Sequence, residues 1–144
     1  MPKRLEAPQM LDSVDEFGDG VTLQILTVFP GFVLQQIMNC LAVRQVLPKG
    51  PGRTELVWTA FGYASDDDEM RSRRLRQANL MGPAGFVSVD DSEVMDLAQR
   101  GIQVDPEGSA MVEMGGRGTE DHDHIVTETA IRAFYSYYRD VMGL

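Results

Sequence analysis

The sequence predicts an α+β fold in which an antiparallel sheet comes first and helices follow. In the first half of the chain, apolar and polar residues alternate with the period of two that is typical of half-buried strands. In the second half, two helix-capping signatures and one apolar stripe with helical spacing occur. Strands followed by helices along a chain are typical of the α+β class.

Three strands are expected in the first half, joined by short turns into an antiparallel meander. They are residues 21–29, 32–47 and 54–63. The middle segment is compatible with a strand, on which Val33, Gln35 and Ile37 would share one face. It is equally compatible with a helix, because leucine, glutamine and methionine favour helices.

Two helices are expected next, each with a capping-box signature at its start. Ser65 with Asp68 begins a helix at about residues 66–80, and Ser88 with Asp91 begins a shorter helix that ends near Gly101. Residues 109–114 are a candidate for one more strand. The last helix carries a broad apolar stripe that we expect to pack in the core, made of Ile131, Phe134, Tyr135, Tyr138, Val141 and Met142.

Composition limits the partners and the location. The 144 residues include 13 Lys plus Arg and 22 Asp plus Glu, a net charge of -9, whereas binding to nucleic acid or to an anionic membrane requires a basic surface. We therefore expect neither partner. No apolar run approaches the ~20 residues of a membrane span, and the first residues lack the apolar core of a signal peptide. A cytoplasmic protein is the resulting expectation. One basic cluster, Arg71, Arg73, Arg74 and Arg76, follows four acidic residues and is interpreted as a charged helix surface.

The single cysteine excludes two kinds of structure. Cys40 has no partner for a disulfide within the chain, and its apolar surroundings predict a buried thiol. An iron-sulfur cluster held by this chain alone is excluded as well, since even a Rieske centre needs two Cys and two His.

Two short motifs could carry chemistry, and their spacing leaves the choice open. Asp90-Asp91 could stabilise the start of a helix or supply a hard metal ligand. His122-Asp123-His124 could share a metal if it formed a strand, whereas an exposed loop or a helix start would give it no such role.

The run Gly82-Pro83-Ala84-Gly85, followed at a fixed distance by Asp90-Asp91, resembles one family closely. It is similar to the C-terminal part of the catalytic domain in the large (alpha) subunit of Rieske-type aromatic ring-hydroxylating oxygenases. The resemblance extends over about residues 5–144, and the sequence is most similar to members that act on aromatic carboxylates such as salicylate or anthranilate. Further similar stretches follow in family order, at residues 28–30, 55–59 and 115–118 and in the last helix.

The resemblance implies an iron site of which this chain holds one ligand. In the family, two His and one Asp hold a mononuclear non-haem Fe(II), and the Asp corresponds here to Asp91. The two His ligands and the N-terminal Rieske domain lie upstream of the matched region, so both are expected to be absent. His122 and His124 follow the Asp instead of preceding it and are not assigned as ligands.

The resemblance also implies a fold and a substrate pocket. Residues 1–144 would form the C-terminal portion of a helix-grip (Bet v 1-like) catalytic domain, an antiparallel sheet with C-terminal helices. The positions that correspond to pocket-lining positions of the family are Ile25, Gln35, Met81 and Val87.

The function implied is part of an oxygenase that hydroxylates an aromatic acid with dioxygen, and the chain alone is expected to be inactive. The [2Fe-2S] Rieske centre and NAD(P)H would act only through missing parts or through partners. Those partners would be a reductase or ferredoxin and a small beta subunit, in a trimer-based oligomer. The alternative is a non-catalytic α+β binding or assembly module, in which Asp90-Asp91 caps a helix and the histidines lie on the surface.

Overall fold

The computed structural model describes residues 5–124 and 127–144. Contacts within the chain divide it into two compact units, Met1–Pro106 and Glu107–Leu144. The first unit contains a short 3₁₀ turn at Pro8–Leu11, a sheet and two helices, and the second contains one helix. A sheet followed by helices confirms the α+β class and agrees with the helix-grip fold. Among the described residues, no helix is both long enough and apolar enough to cross a membrane.

The sheet is an antiparallel meander of four strands in the order β1-β2-β3-β4. The strands are β1 (Leu23–Val28), β2 (Phe32–Ile37), β3 (Cys40–Pro48) and β4 (Thr54–Phe61). The predicted meander is confirmed. The predicted number of strands is wrong, because residues 32–47 form two strands instead of one.

The chain reverses at Met38 and Asn39, between β2 and β3. Met38 has a φ of 53°, a left-handed conformation that a residue other than glycine seldom adopts. Asn39 is buried, and its backbone N–H donates to the side-chain oxygen of Gln77 at 2.8 Å. This hairpin turn is therefore held by a contact from a distant helix, and the helical interpretation of the segment is wrong.

Burial in the sheet is concentrated where β2 and β3 meet. On one face, which we name the inner face, Gln35, Cys40 and Ala42 are buried, and Leu41 is buried on the other. Helix α1 (Asp68–Met81) packs against β3. Burial of Cys40 confirms the prediction. The opposite face of the sheet exposes large apolar side chains, which are Leu26, Val28, Phe32, Leu34 and Phe61.

Helix α1 begins close to its predicted start, with Asp67 as the cap. The Asp67 carboxylate accepts a hydrogen bond from the backbone N–H of Met70 at 2.8 Å, which satisfies one of the free donors of the first turn. The interpretation of the arginine cluster as a charged surface holds only in part. Arg74 is 5% exposed and lies inside the fold, because the acidic side chains of Asp66 and Glu16 neutralise it there.

Helix α2 (Phe86–Val104) differs from its prediction at both ends. It begins before Ser88, whose Oγ donates to the Met81 carbonyl oxygen at 2.8 Å and does not cap the helix. It also continues through Gly101, which lies in the last turn. Asp90 and Asp91 therefore lie in the second turn of α2, and the expected helix-start position for this pair is wrong.

A tight turn, Gly82-Pro83-Ala84-Gly85, joins α1 to α2. The Gly85 N–H donates to the Gly82 carbonyl oxygen at 2.7 Å. A Cβ atom added at Gly85 would overlap the Leu80 carbonyl oxygen, so the close approach of two backbone segments requires glycine at this position. This four-residue turn thus brings the start of α2 close to the end of α1.

In the second unit, α3 (Thr129–Met142) carries one buried arginine, Arg132. Arg132 donates to the carbonyl oxygen of Gly118 at 2.7 Å and to the hydroxyl of Thr129 at 3.1 Å, with further hydrogen bonds to the carbonyls of Met114 and Thr127. A glycine-rich loop is thereby held against α3.

Two predictions for the second unit are wrong. Residues 109–114 form no strand. The apolar stripe of α3 is not core, since Ile131, Tyr135 and Val141 are 43%, 51% and 54% exposed. The reason is that the described residues of this unit offer a single helix and no sheet, so the stripe has no second element of its own unit to pack on.

Candidate functional site

Two of the predicted pocket residues are neighbours across the sheet. Ile25 of β1 lies opposite Gln35 of β2 in the antiparallel register, so their side chains share the inner face. Gln35 is 2% exposed, whereas Ile25 is 46% exposed because β1 is at the edge of the sheet. The register thus brings together an amide and an aliphatic side chain.

The other predicted residues lie where α1 meets α2. Met81 is the last residue of α1, and its carbonyl oxygen accepts the hydrogen bond from Ser88 in the first turn of α2. Val87 and Asp91 are four residues apart on α2, which places their side chains on one side of this helix. Both side chains are exposed.

Arg44 on β3 lies near enough to Asp91 of α2 for the two charges to interact, and the sequence did not single it out. It lies opposite Val33 of β2, two residues along from Gln35, and so occupies the same inner face. Its guanidinium stacks on the Trp58 ring at 4.9 Å. Burial lowers the pKa of Arg44, and the nearby charge of Asp91 acts in the opposite direction. The signal available in the sequence was an arginine placed in alternation with Cys40 and Ala42 on an inward-facing strand.

The polar groups on this face are incompletely paired. The Gln35 amide nitrogen Nε2 and the Arg44 Nε are buried, and neither has a hydrogen-bond partner among the described residues. Unpaired buried donors cost free energy unless another molecule or further chain supplies an acceptor. The inner face therefore presents one neutral donor and one cation for an acceptor from outside the described chain.

The donor set fits one ligand of an iron site. Asp91 is exposed, and its carboxylate accepts no hydrogen bond from the described part of the chain, so its oxygens are available to a hard cation. Within the described residues, no group of three or more His, Cys, Asp or Glu side chains could hold a metal. A complete site would thus need nitrogen ligands from elsewhere.

The two histidines lie in an irregular segment of the second unit. The ring centroids of His122 and His124 are 5.6 Å apart, and both residues are exposed. This agrees with the interpretation as an exposed loop.

Neither of two cavities in the first unit brings the predicted site residues together. One, of about 280 Å³, is lined in part by Cys40, Tyr63 and Leu75. The other, of about 230 Å³, includes Gln35 but none of the other four predicted residues. The predicted site is accordingly an open surface in this chain, with the inner sheet face as one wall.

Comparison with known proteins assigns the class. Residues 5–144 match the family described as "Ring hydroxylating alpha subunit (catalytic domain)". The chain therefore belongs to the catalytic-domain family of ring-hydroxylating oxygenase large subunits, which confirms the resemblance seen in the sequence. This family consists of non-haem iron oxygenases.

Three relatives are similar over nearly the whole chain. The terephthalate 1,2-dioxygenase terminal oxygenase component subunit alpha 2 of Comamonas sp is 53% identical over 97% of this chain and 34% of its own length. The salicylate 5-hydroxylase large oxygenase component of Ralstonia sp is 45% identical over 97% and 33%. The anthranilate 1,2-dioxygenase large subunit of Burkholderia cepacia is 44% identical over 96% and 33%. The chain thus spans about a third of the length of these relatives.

Proposed function

We propose that this chain is the C-terminal portion of an oxygenase catalytic domain, that it supplies the carboxylate ligand of the iron and one wall of the substrate pocket, and that the substrate is an aromatic acid. The observation that carries the proposal is the placement of unpaired donors of Gln35 and Arg44 on the inner sheet face, with the charge of Asp91 acting on Arg44. The names of all three relatives refer to an aromatic acid or its hydroxylation.

The pocket residues would make different contacts with an aromatic carboxylate. Arg44 offers a planar guanidinium that matches a carboxylate, and its stacking on Trp58 limits the directions it can take. Gln35 offers an amide donor to a second oxygen of the substrate. Ile25, Met81 and Val87 supply apolar surface for the ring, as is usual in small-molecule sites.

The iron would be held by Asp91 together with two histidines of a preceding part of the subunit. When bound, it supplies the activation of dioxygen next to the ring. Asp91 contributes the anionic oxygen donor, while Asp90, about 100° away around the helix, cannot take the same position. Electrons would come from NAD(P)H through a reductase or ferredoxin and a Rieske centre, and a small beta subunit and a trimer-based oligomer complete the proposed assembly.

A non-catalytic binding or assembly module is the second candidate. It is favoured because, within the described residues, Asp91 belongs to no group of three or more His, Cys, Asp or Glu side chains that could hold a metal. The coding sequence upstream of Met1 discriminates the two. A Cys-x-His and Cys-x-x-His pair followed by a two-histidine motif there supports the oxygenase, and their absence supports the module.

A chimera tests the iron ligand. We would join the upstream two thirds of the Comamonas relative to this chain, which replaces the matched region of that subunit. Asp91→Ala should abolish hydroxylation and deplete mononuclear iron, with the Rieske spectrum unchanged, because only the mononuclear site loses a ligand. Asp90→Ala is the matched control and should retain most of the iron. Retention of iron in Asp91→Ala with loss in Asp90→Ala would shift the assignment by one residue, and retention in both would remove the ligand role.

The same chimera tests the substrate contacts. Gln35→Leu should change the preference among aromatic acids while the iron content stays the same, since the substitution removes a donor and leaves the ligand in place. Arg44→Met should raise KM for aromatic acids much more than for their methyl esters. Unchanged kinetics for several acids would exclude the altered residue from the pocket.

A further inference from the structure

A buried arginine on α1 ties three separate parts of the first unit together. The Nε and Nη2 of Arg74 donate to the two carboxylate oxygens of Asp66, at 2.8 and 3.0 Å, and Nη1 donates to the Asn39 carbonyl oxygen at 2.7 Å. Nη2 also donates to Glu16. The guanidinium thus joins the loop before α1, the β2-β3 turn and the segment that precedes β1.

Two buried amides extend this network to residues 12–16, which we name the leading segment. Gln77 has 0% exposure, and its Nε2 donates to the Asp12 carbonyl oxygen at 2.9 Å. The Asn39 side chain forms two hydrogen bonds with the backbone of Val14, both at 3.0 Å. The Val14 N–H donates to Asn39 Oδ1, and Asn39 Nδ2 donates to the Val14 carbonyl oxygen. The leading segment is therefore fastened to α1 and to the hairpin turn by side chains that are themselves buried.

The other end of α1 is connected to the helix that carries Asp91. The turn from Gly82 to Gly85 leaves little freedom between α1 and α2, because backbone atoms already approach closely at Gly85. The hydrogen bond from Ser88 to Met81 at 2.8 Å closes this turn from the α2 side. The end of α1 and the start of α2 are accordingly held close together.

We infer that Arg74 is a positioning residue for Asp91: it fixes α1 relative to the leading segment and the β2-β3 turn, and the glycine turn passes that position on to α2. The part of this inference that concerns iron rests on the proposed function. A guanidinium is suited to the task because its planar fork of five donors binds a carboxylate through two bonds and still reaches other acceptors, whereas a lysine ammonium cannot hold this geometry.

A distance measurement in the chain itself tests the mechanical half. Spin labels would be attached to Ser13→Cys in the leading segment and Glu93→Cys on α2, both exposed positions, in a Cys40→Ala background. Arg74→Lys should broaden the distance distribution between the labels. Arg71→Lys is the matched control, because Arg71 is on the same helix but forms an exposed ion pair with Asp68, and it should leave the distribution unchanged. An unchanged distribution in Arg74→Lys overturns the inference.

A second variant keeps the test valid if Arg74→Lys does not fold, which circular dichroism would show. Glu16→Ala retains the pair of Arg74 with Asp66 and removes the ionic contact of Arg74 to the leading segment, together with one hydrogen bond from Asn39 Nδ2. It should broaden the same distribution. A distribution as narrow as that of the parent would contradict the inference.

The chimera with the Comamonas relative tests the half that concerns iron. Arg74→Lys should weaken iron retention about tenfold, as loss of a residue that orients a ligand does, and should lower kcat with little change in KM. If Asp91→Ala loses iron while Arg74→Lys retains it and has the parental kcat, the positioning role is wrong and the proposed function stands. If the parent chimera binds no iron but the label distances respond as expected, the proposed function fails and the mechanical coupling stands.

Discussion

At the scale of single residues, the largest fully buried side chains are amides. Gln35, Gln77 and Asn39 are 2%, 0% and 1% exposed. The Gln77 side chain binds backbone groups of Asn39 and Asp12, and the Asn39 side chain binds the backbone of Val14 and the carboxylate of Glu16. The Gln35 amide nitrogen has no partner in the described chain. The first two thus stabilise the fold, and the third costs stability that a bound molecule can restore.

The contrast between these amides predicts different effects of the same substitution. Gln77→Leu should destabilise the chain by about 1–3 kcal/mol for each backbone group left unpaired, here the N–H of Asn39 and the carbonyl of Asp12. Gln35→Leu removes a donor that is already unpaired and should be nearly neutral. Urea unfolding followed by circular dichroism measures both changes. Equal losses in the two variants would mean that Gln35 has a structural partner.

The pair of Asp66 with Arg74 predicts a pH dependence. The hydrogen bond from the Arg74 guanidinium, supported by the backbone N–H of Tyr63, holds the pKa of Asp66 below its usual range. A folded-state pKa below the unfolded value of about 3.9 means that the contribution of Asp66 is fully present above that value and is lost as the pH falls through the folded pKa.

Asp66→Asn should therefore make stability fall less steeply as the pH is lowered. The unfolding midpoint measured between pH 2 and pH 6 tests this, because that window spans the ordinary carboxyl pKa of about 4. Asp68→Asn is the control, since its carboxylate is exposed and pairs only with Arg71 on the surface. An acid limb in Asp66→Asn as steep as that of the parent would show that other carboxylates determine it.

Among the helices and strands, the sequence predicted the boundaries that neighbouring residues determine and missed those that distant contacts determine. The start of α1 was predicted to within two residues from Ser65 with Asp68, although the side chain that caps the helix is that of Asp67. The start of α2 was placed too late, because Ser88 binds the end of α1 instead of its own helix. The β2-β3 turn was missed because it contains neither glycine nor proline and is held by Gln77, 38 residues away.

The candidate site, like the elements, was predicted only in part. The family resemblance identified Asp91 and Gln35, whose roles stay predictions. Arg44 was not identified, although it alternates with Cys40 and Ala42 along the strand, because its position near Gln35 and Trp58 depends on the strand register. Cross-strand neighbours depend on the position of the turn, and the turn depends on a long-range contact.

Two glycines of the second half predict opposite effects of alanine. Gly85→Ala should destabilise the chain by about 1–3 kcal/mol, because the new methyl group would overlap the Leu80 carbonyl. Gly101→Ala should stabilise it by about 0.5–1 kcal/mol, since Gly101 lies inside α2 with open space around it. Thermal unfolding of the two variants measures the difference. A tolerated alanine at Gly85 would show that the turn relaxes easily.

Over the described chain as a whole, polar and apolar groups are left without partners. The buried unpaired donors include Gln35 Nε2 and Arg44 Nε on the inner face, and large apolar side chains are exposed on the sheet and on α3. In the proposed function, these groups and Asp91 form only part of a site. Exposed apolar surface of this kind is typical of an interface. This distribution agrees with a chain that spans about a third of the length of its relatives.

The isolated chain should therefore be inactive. Purified with iron and sulfide, it should show no Rieske-type visible absorption, since a single cysteine cannot ligate the cluster. Salicylate should not be turned over, because two nitrogen ligands of the proposed iron site are lacking. Either a Rieske spectrum or a product that depends on substrate would contradict this expectation, and the chimera serves as the positive control.

The turn between α1 and α2 also determines which kinds of genetic change the chain can accept. One residue inserted after Gly85 would rotate every side chain of α2 by about 100° and shift it by about 1.5 Å along the axis. Libraries that lengthen or shorten this segment should therefore yield far fewer active oxygenases than libraries that only exchange side chains. Under the proposed function, new substrate ranges are best sought by point substitution on the inner sheet face, with the length of the α1-α2 turn held constant.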